Sequence, residues 1–241
     1  MITINKKVLP DLAKFIEMRY GVDVLKHKER DPEIMNALLR MQYWINDAVL
    51  SDYFDGGEGW WSNEEKFDTR RTGKQLVDHL KQQGEDIRIL DVGCGNNEVK
   101  QLVGSNVLGI DPYNPAADIQ SGIVDFNKNA GKWDVVLCLG SINFGDDATI
   151  EKQVIKAITM LKPGGDIYFR CNPGLTHDHD LAKWIDFYPW THERLHELAE
   201  LNKCTVIEEG WDHPEDNEDV HWGNRLFQHW KKQDGLRKAD K

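Results

Sequence analysis

The chain has 241 residues, of which 40% are apolar and 29% are charged, and its formal net charge is −11. This composition is ordinary for a globular protein, and the charge argues against a broad surface for nucleic-acid phosphates. No apolar run reaches the roughly 18 residues of a membrane helix, and the N-terminus lacks the apolar core of a signal peptide. We therefore expect a cytoplasmic protein without a membrane partner.

The first 85 residues carry helical patterns. Apolar residues recur at helical spacing over Leu9–Tyr20, Pro32–Val49 and Glu64–Gln83. We interpret residues 1–85 as a helical extension or a cap on the domain that follows, 86–241. Trp60-Trp61, in a glycine-rich loop of this segment, has two interpretations: an aromatic lid over a substrate, or ordinary packing.

From residue 86 onward, short apolar runs alternate with longer amphipathic stretches, which predicts an α/β fold with a largely parallel sheet. The predicted helices are Thr149–Leu161 and Trp190–Asn202. The predicted strands are Ile87–Val92, Asn106–Ile110, Ile119–Val124, Trp133–Leu139, Asp166–Cys171, Thr205–Gly210 and Arg225–Trp230.

The first two of these strands end in residues suited to a nucleotide. Asp91 lies near the end of the first strand, and the glycine turn Gly93-Cys94-Gly95-Asn96-Asn97 follows it. Glycines allow a backbone to approach a ligand where a Cβ would collide. The second strand runs into Asp111-Pro112, and a carboxylate there can accept hydrogen bonds from both hydroxyls of a ribose.

The later strands add three further motifs. Asp125-Phe126 follows the third strand, where the carboxylate can meet an adenine amino group while the ring packs on the base. The fourth strand ends in the small residues Gly140-Ser141, which leave room for a cofactor. The turn Lys162-Pro163-Gly164-Gly165 precedes the fifth strand.

In this order, the motifs resemble those of the class I S-adenosylmethionine (SAM)-dependent methyltransferases, over roughly residues 72–230. The resemblance implies a seven-stranded, mostly parallel, Rossmann-like sheet that closes in an antiparallel C-terminal hairpin. It implies SAM as the cofactor, with Asn97 standing where many members have a third glycine. The implied cofactor-binding residues are Asp91, Gly93, Cys94, Gly95, Asn96, Asp111, Pro112, Asp125, Phe126, Gly140 and Ser141.

The implied reaction is an SN2 transfer of the SAM methyl group, with a small molecule as the favoured acceptor. A protein side chain, RNA and a non-catalytic SAM-binding role remain alternatives, and DNA is an unfavoured partner because Gly140–Gly145 lacks the prolines of the amino-methylating enzymes. No catalytic residue is identified, and His177, His179 and Asn143 are the candidates. Arg70-Arg71 could pair with the methionine carboxylate, although we interpret them as surface charges.

Two other enzyme classes fit the sequence less well. A dinucleotide-binding turn would have a third glycine where this chain has Glu98, and a carboxylate there disfavours a pyrophosphate. His192-Glu193-Arg194-Leu195-His196 matches the zinc-protease pattern, and Glu215 lies downstream, but we interpret this segment as a surface helix and expect no metal. The four scattered cysteines are expected to be buried and reduced.

Overall fold

In a computed structural model of the chain, the described residues are 9–21, 23–27, 40–41, 48, 64–173, 187–213 and 225–234. The chain divides into two compact units, one of residues 1–56 with 176–186 and the other of residues 57–175 with 187–241. Within the described ranges, no helix has the length and apolar character needed to cross a membrane. The role of residues 1–85 as an extension or cap stays a prediction.

The first unit contains the predicted helix α1 (Leu9–Tyr20), followed by the short helix α2 (Val24–His27). Helix α1 ends at Gly21, whose φ of 68° lets its N–H bond the carbonyl of Glu17 at 2.8 Å. The predicted helix Pro32–Val49 lies mostly outside the described residues. The small apolar core of this unit consists of Leu12, Ala13, Ile16 and Val24, with Met41 packed against them.

The second unit begins with a broken helix instead of the predicted continuous helix Glu64–Gln83. Helix α3 (Glu64–Thr69) is followed by a kinked turn (Arg71–Gln75), in which Gly73 is not helical, and then by helix α4 (Leu76–Gln82). The break occurs because Arg70 is extended, with φ −86° and ψ 144°. Helical periodicity in the sequence does not reveal such a break, because the bonds that hold it come from a distant strand.

A six-stranded mixed sheet, in the order β2-β1-β3-β4-β6-β5, forms the centre of this unit. Strand β6 runs antiparallel to both of its neighbours, which confirms the predicted C-terminal hairpin. The other neighbouring strands are parallel, so several strands end at one edge. The strands are β1 (Ile89–Val92), β2 (Val107–Ile110), β3 (Trp133–Leu139), β4 (Leu161–Cys171), β5 (Cys204–Trp211) and β6 (Leu226–Lys232).

The predicted strand Ile119–Val124 is wrong, and with it the count of seven strands. Only Ile119 pairs with the sheet, through a single parallel bridge to Ile110. The chain then turns at Gly122, whose carbonyl accepts the N–H groups of Asp125 and Phe126, each at 3.2 Å. The chain therefore leaves the sheet in a local turn shortly after this single bridge.

Three helices follow strands β1, β3 and β4 along the chain. The six-residue helix α5 (Glu98–Val103) was not predicted, whereas α6 (Asp147–Met160) and α7 (His192–Leu201) confirm the two predicted helices. Helix α6 begins where the Asp146 carboxylate accepts the N–H of Thr149 at 2.9 Å. Helices α6 and α7 contribute to one apolar core, and α4 and α5 contribute to another.

Candidate cofactor site

The glycine turn (Gly93–Asn97) leaves β1 at the edge where the parallel strands end. The N–H of Gly93 bonds the carbonyl of Ile110 at 2.7 Å, and its φ is 68°. A Cβ on Gly93 would lie only 2.4 Å from the Cβ of Ser141, so no larger residue fits. By contrast, a Cβ on Gly95 would meet nothing within 4 Å. The turn is thus tight against β3 on one side and open at Gly95.

Asp111, directly after β2, lies beside this turn. Its Oδ2 accepts the N–H of Gly95 at 3.2 Å, and its Oδ1 accepts the N–H groups of Tyr113 and Asn114 at 2.8 and 2.9 Å. The carboxylate is therefore held in one orientation before any ligand arrives. Pro112, between these groups, is exposed. The structure brings together the two strand ends that the sequence marked as nucleotide-binding.

Asp91, near the end of β1, is a buried carboxylate with 3% of its surface exposed. Burial, together with the smaller effect of the negative charges of Asp111 and Glu98, raises its pKa to about 7. In the described part of the chain, no Lys or Arg side chain forms an ion pair with Asp91. The site therefore carries a cluster of acidic groups that a cationic ligand would stabilise.

The end of β3 supplies Gly140 and Ser141. Gly140 has a φ of 112°, and its carbonyl accepts the side-chain N–H of Asn143 at 2.8 Å. Asn143 Oδ1 accepts the N–H of Asn172 at 2.8 Å, so the Asn143 amide links the ends of β3 and β4. Ser141 Oγ is buried and has no hydrogen-bond partner among the described residues. Asn143 therefore positions this turn, and its contact with an acceptor stays a prediction.

Asp125 and Phe126 lie on the turn that replaces the predicted third strand. Asp125 is exposed, whereas Phe126 is buried and packs against Trp133 with ring centroids 6.4 Å apart. The ring that was predicted to pack on adenine thus belongs to the core. The Asp125 carboxylate remains the group available to an adenine, and that contact stays a prediction.

A buried cluster of charges lies where β4 and β5 end. Arg170 Nε donates to Asp212 Oδ2 at 2.7 Å, and Thr72 donates its hydroxyl and its N–H to Asp212 Oδ1 at 2.8 and 2.9 Å. Arg70 is 7% exposed, and burial lowers its pKa, as does the charge of Arg170, while Asp212 opposes the shift. The interpretation of Arg70 as a surface charge is therefore wrong.

Sequence reasoning missed Arg170 and Asp212. Arg170 Nη1 lies 3.9 Å from where a Cβ on Gly140 would be, so its guanidinium reaches the turn after β3. The available signal was a single arginine inside the otherwise apolar run Ile167–Cys171. A buried charge in such a strand requires a partner, and the partner here comes from a different strand.

Arg71, the helix with the zinc-protease pattern and the four cysteines make contacts within the fold. Arg71 pairs with Glu208, and its Nε donates to the carbonyl of Trp211 at 3.0 Å. His196 Nε2 lies 2.6 Å from Glu209 Oε2 across helix α7 and strand β5. The described residues contain no group of three or more His, Cys, Asp or Glu side chains that could hold a metal. All four cysteines are free and buried, and burial raises the pKa of each thiol.

The remaining candidates lie outside the described residues. These are His177, His179, Glu215 and the Trp60-Trp61 pair.

No protein-family model and no curated protein matches the sequence. Solved structures do match its fold. The Burkholderia thailandensis 1,6-didemethyltoxoflavin-N1-methyltransferase, with bound 1,6-didemethyltoxoflavin and S-adenosylhomocysteine, is 14% identical, with a TM-score of 0.56 over 78% of this chain and 89% of that one. The N-methyltransferase NodS from Bradyrhizobium japonicum WM9, in complex with S-adenosylhomocysteine, is also similar. It is 12% identical, with a TM-score of 0.52 over 78% of this chain and 98% of that one.

A third similar structure is the [4+2]-cyclase SpnF, which is 12% identical, with a TM-score of 0.50 over 67% of this chain and 81% of that one. At these identities the likeness establishes the fold, while the reaction must be argued from the site.

Proposed function

We propose that this chain, which has the fold of the class I SAM-dependent methyltransferases, binds SAM and transfers its methyl group to a small molecule. The observation that carries the proposal is the Asp111 carboxylate, fixed by the N–H of Gly95 beside an open glycine turn. A carboxylate in this position accepts the two hydroxyls of a ribose. The buried Asp91 adds a negative charge at the adjacent strand end.

The charge of the site favours SAM over a phosphate-bearing dinucleotide. Asp91, Glu98 and Asp111 are close enough that the latter two raise the pKa of Asp91. A pyrophosphate would bring two further negative charges into this acidic site. SAM carries a sulfonium and an ammonium instead, and both are stabilised by nearby carboxylates. The unpartnered Ser141 Oγ at the neighbouring strand end offers one more polar contact.

The residues present fit the parts of SAM in order across the sheet edge. Asp111 would hold the ribose, and the exposed Asp125 would meet the adenine. Asp91 would attract the cationic methionine end, and the guanidinium of Arg170, which reaches Gly140, would attract its carboxylate. Bound SAM supplies an electrophilic methyl carbon whose bond to sulfur breaks as the acceptor's lone pair attacks.

The work left to the protein is orientation and the exclusion of water. Orientation of two reactants can lower the activation free energy by up to about 7–11 kcal/mol in favourable cases. Gly93, Asp111 and the Asn143-linked turn are rigidly bonded to the strand ends, which suits that task. A general base is required only for an acceptor that must lose its proton early, such as an alcohol. His177 and His179 remain the candidates for that role.

A small molecule is the acceptor that the available observations favour. One solved structure of the same fold carries bound 1,6-didemethyltoxoflavin, a small-molecule acceptor, beside S-adenosylhomocysteine. The net charge of −11 disfavours a polyanionic acceptor such as DNA or RNA. A protein side chain is the second choice, because an acidic surface accommodates a basic peptide.

A second candidate function is SAM binding without methyl transfer. The similar [4+2]-cyclase structure is the observation that favours it, because its name describes a different reaction on the same fold. Both candidates require the same cofactor site, so cofactor affinity does not separate them. Transfer of a labelled methyl group does.

The experiment is calorimetric titration of the purified chain with SAM and S-adenosylhomocysteine, with Asp111→Ala in parallel. We expect micromolar binding that the substitution weakens tenfold or more, and Asp78→Ala on the exposed face of α4 serves as the control. Binding should then be followed by transfer from methyl-labelled SAM to a panel of small amines, phenols and carboxylic acids. Failure of the folded wild-type protein to bind either ligand overturns the proposal, and binding without transfer favours the second candidate.

A further inference from the structure

We propose that Asn97 is a positioning residue that holds the cofactor-binding carboxylate of Asp111 through the loop that follows β2. We call this loop, residues 111–118, the acidic loop. The role in cofactor binding rests on the proposed function, whereas the bonds described below are properties of the fold itself. The starting observation is that Asn97 occupies a left-handed conformation, φ 61° and ψ 35°, which favours glycine.

The side chain of Asn97 explains why an asparagine stands there. It is 8% exposed and makes no capping bond to helix α5, although Asn97 is the N-cap of that helix. Its Nδ2 instead donates to the carbonyl of Ala116, in the acidic loop, at 3.2 Å. Asparagine tolerates the left-handed region better than most residues, so it supplies an amide at modest backbone cost.

Two neighbouring residues make parallel bonds to the same loop. Gly95 donates its N–H to Asp111 Oδ2 at 3.2 Å, and Asn96 Oδ1 accepts the side-chain N–H of Asn114 at 3.0 Å. Asn114 in turn donates its backbone N–H to Asp111 Oδ1 at 2.9 Å. Three consecutive residues of the glycine turn therefore hold the acidic loop at three points, and Asn97 makes the bond that is farthest from Asp111.

The strand beneath provides the space for this arrangement. Gly109 of β2 lies under the Asn97 amide, and a Cβ there would be 2.2 Å from Asn97 Oδ1. The Asn97 side chain thus packs over a glycine while it bonds the loop on the other side. A glycine in place of Asn97 would allow the same backbone conformation, but it would have no side-chain amide to bond the carbonyl of Ala116.

The test is a double-mutant cycle in the binding of S-adenosylhomocysteine. Asn97→Gly keeps the left-handed backbone and removes only the side chain, and we expect a three- to tenfold loss of affinity, about the value of one hydrogen bond. In the Asp111→Ala background the same substitution should lower the affinity less than twofold, because the carboxylate that Asn97 positions has already been removed. Asn129→Gly, at another left-handed asparagine (φ 57°), is the matched control and should leave affinity unchanged.

An equal loss in both backgrounds overturns the proposal, because it would show that Asn97 acts independently of Asp111. If the wild-type protein binds no S-adenosylhomocysteine, the proposed function fails, and amide hydrogen exchange decides the positioning role. Asn97→Gly should then raise amide exchange at Tyr113, Asn114, Ala116 and Ala117 at least tenfold and leave the turn at 128–131 unchanged. Unchanged exchange in the acidic loop overturns the inference.

Discussion

The amide of Asn97 fills the space over Gly109, and a Cβ added to Gly109 would lie 2.2 Å from Asn97 Oδ1 and 2.7 Å from Cys94 Sγ. The two positions are therefore complementary: an asparagine in the turn requires a glycine in the strand. This relationship joins residues 12 positions apart that no local pattern connects.

Gly109→Ala should destabilise the protein by about 1–3 kcal/mol, the usual cost of overpacking a filled core. Adding Asn97→Gly should recover part of the loss, because it removes one of the two colliding groups while Cys94 Sγ remains. Urea unfolding of the two single variants and the double variant measures both effects.

The control for that series is Gly122→Ala, because a Cβ there would meet nothing within 4 Å. Its free energy of unfolding should stay within about 0.5 kcal/mol of the wild type. If Gly109→Ala is no worse than this control, or if Asn97→Gly makes it worse still, the proposed complementarity is wrong.

The sequence predicted those parts of the fold that depend on local patterns. Strand β3 (Trp133–Leu139) was predicted with its observed ends, because Val135–Leu139 is a continuous apolar run whose residues from Val135 to Cys138 are all buried. The glycine turn and Asp111 were found because their residue types are specific to close approach and to hydroxyl recognition.

The errors arose where a distant bond or a local turn overrides the apolar pattern. Residues 64–83 have helical periodicity, but the chain leaves the helix so that Thr72 and the N–H of Arg71 can bond Asp212. Ile119–Val124 has strand composition, but after Ser121, whose N–H bonds the carbonyl of Asp111 at 3.1 Å, the chain turns at Gly122. The first outcome depends on a partner that becomes a neighbour only in the folded chain, whereas the second is a local turn that apolar composition does not reveal.

Cofactor affinity should depend on pH through Asp91. Its pKa is raised to about 7, so below pH 7 the carboxyl is mostly neutral, and a cationic ligand must remove its proton to form an ion pair. The affinity for SAM should therefore rise as the pH increases from 5.5 to about 7.5 and then level off. Calorimetry at pH 6.5 in two buffers with different ionisation enthalpies should show net proton release on binding.

Asp91→Asn is the matched variant for this prediction, because it keeps the size of the side chain and removes the titration. It should bind SAM more weakly at pH 8, with an affinity that no longer rises with pH. A wild-type affinity that is constant from pH 5.5 to 8 would mean that Asp91 does not face the cationic part of the ligand.

The same carboxyl should make the unliganded protein less stable at high pH. The folded-state pKa is raised above the unfolded value of about 4, so the native state binds more protons between these two values. The stabilising contribution is complete below pH 4 and is lost as the pH rises through 7. The loss is on the order of 4 kcal/mol, because the two pKa values lie about three apart and each pKa unit corresponds to about 1.4 kcal/mol.

Asp91→Asn should remove this dependence and should therefore be more stable than the wild type at pH 8. Urea unfolding at pH 5 and pH 8 gives the comparison, and the difference between variant and wild type should be larger at pH 8. A variant that is less stable than the wild type at pH 8 would show that ionised Asp91 is stabilised by a partner in the empty protein.

The buried pair Arg170–Asp212 should be among the interactions most sensitive to substitution. Asp212 is 1% exposed and accepts hydrogen bonds from Arg170 and Thr72. Asp212→Ala removes the negative charge between buried guanidinium groups and should cost about 3–5 kcal/mol, as breaking a buried ion pair usually does. Glu208→Ala, which removes the exposed partner of Arg71, should cost less than about 1 kcal/mol.

Replacement of the whole pair separates charge imbalance from loss of packing. Arg170→Met with Asp212→Leu removes both charges of the pair, and Arg70 loses the Asp212 charge equally in both variants, so this double variant should be more stable than Asp212→Ala alone. If the double variant is instead the less stable of the two, Asp212 contributes mainly through its two bonds to Thr72. In that case Thr72→Val should reproduce most of the loss, because it removes the hydroxyl that donates to Asp212 and keeps the shape of the side chain.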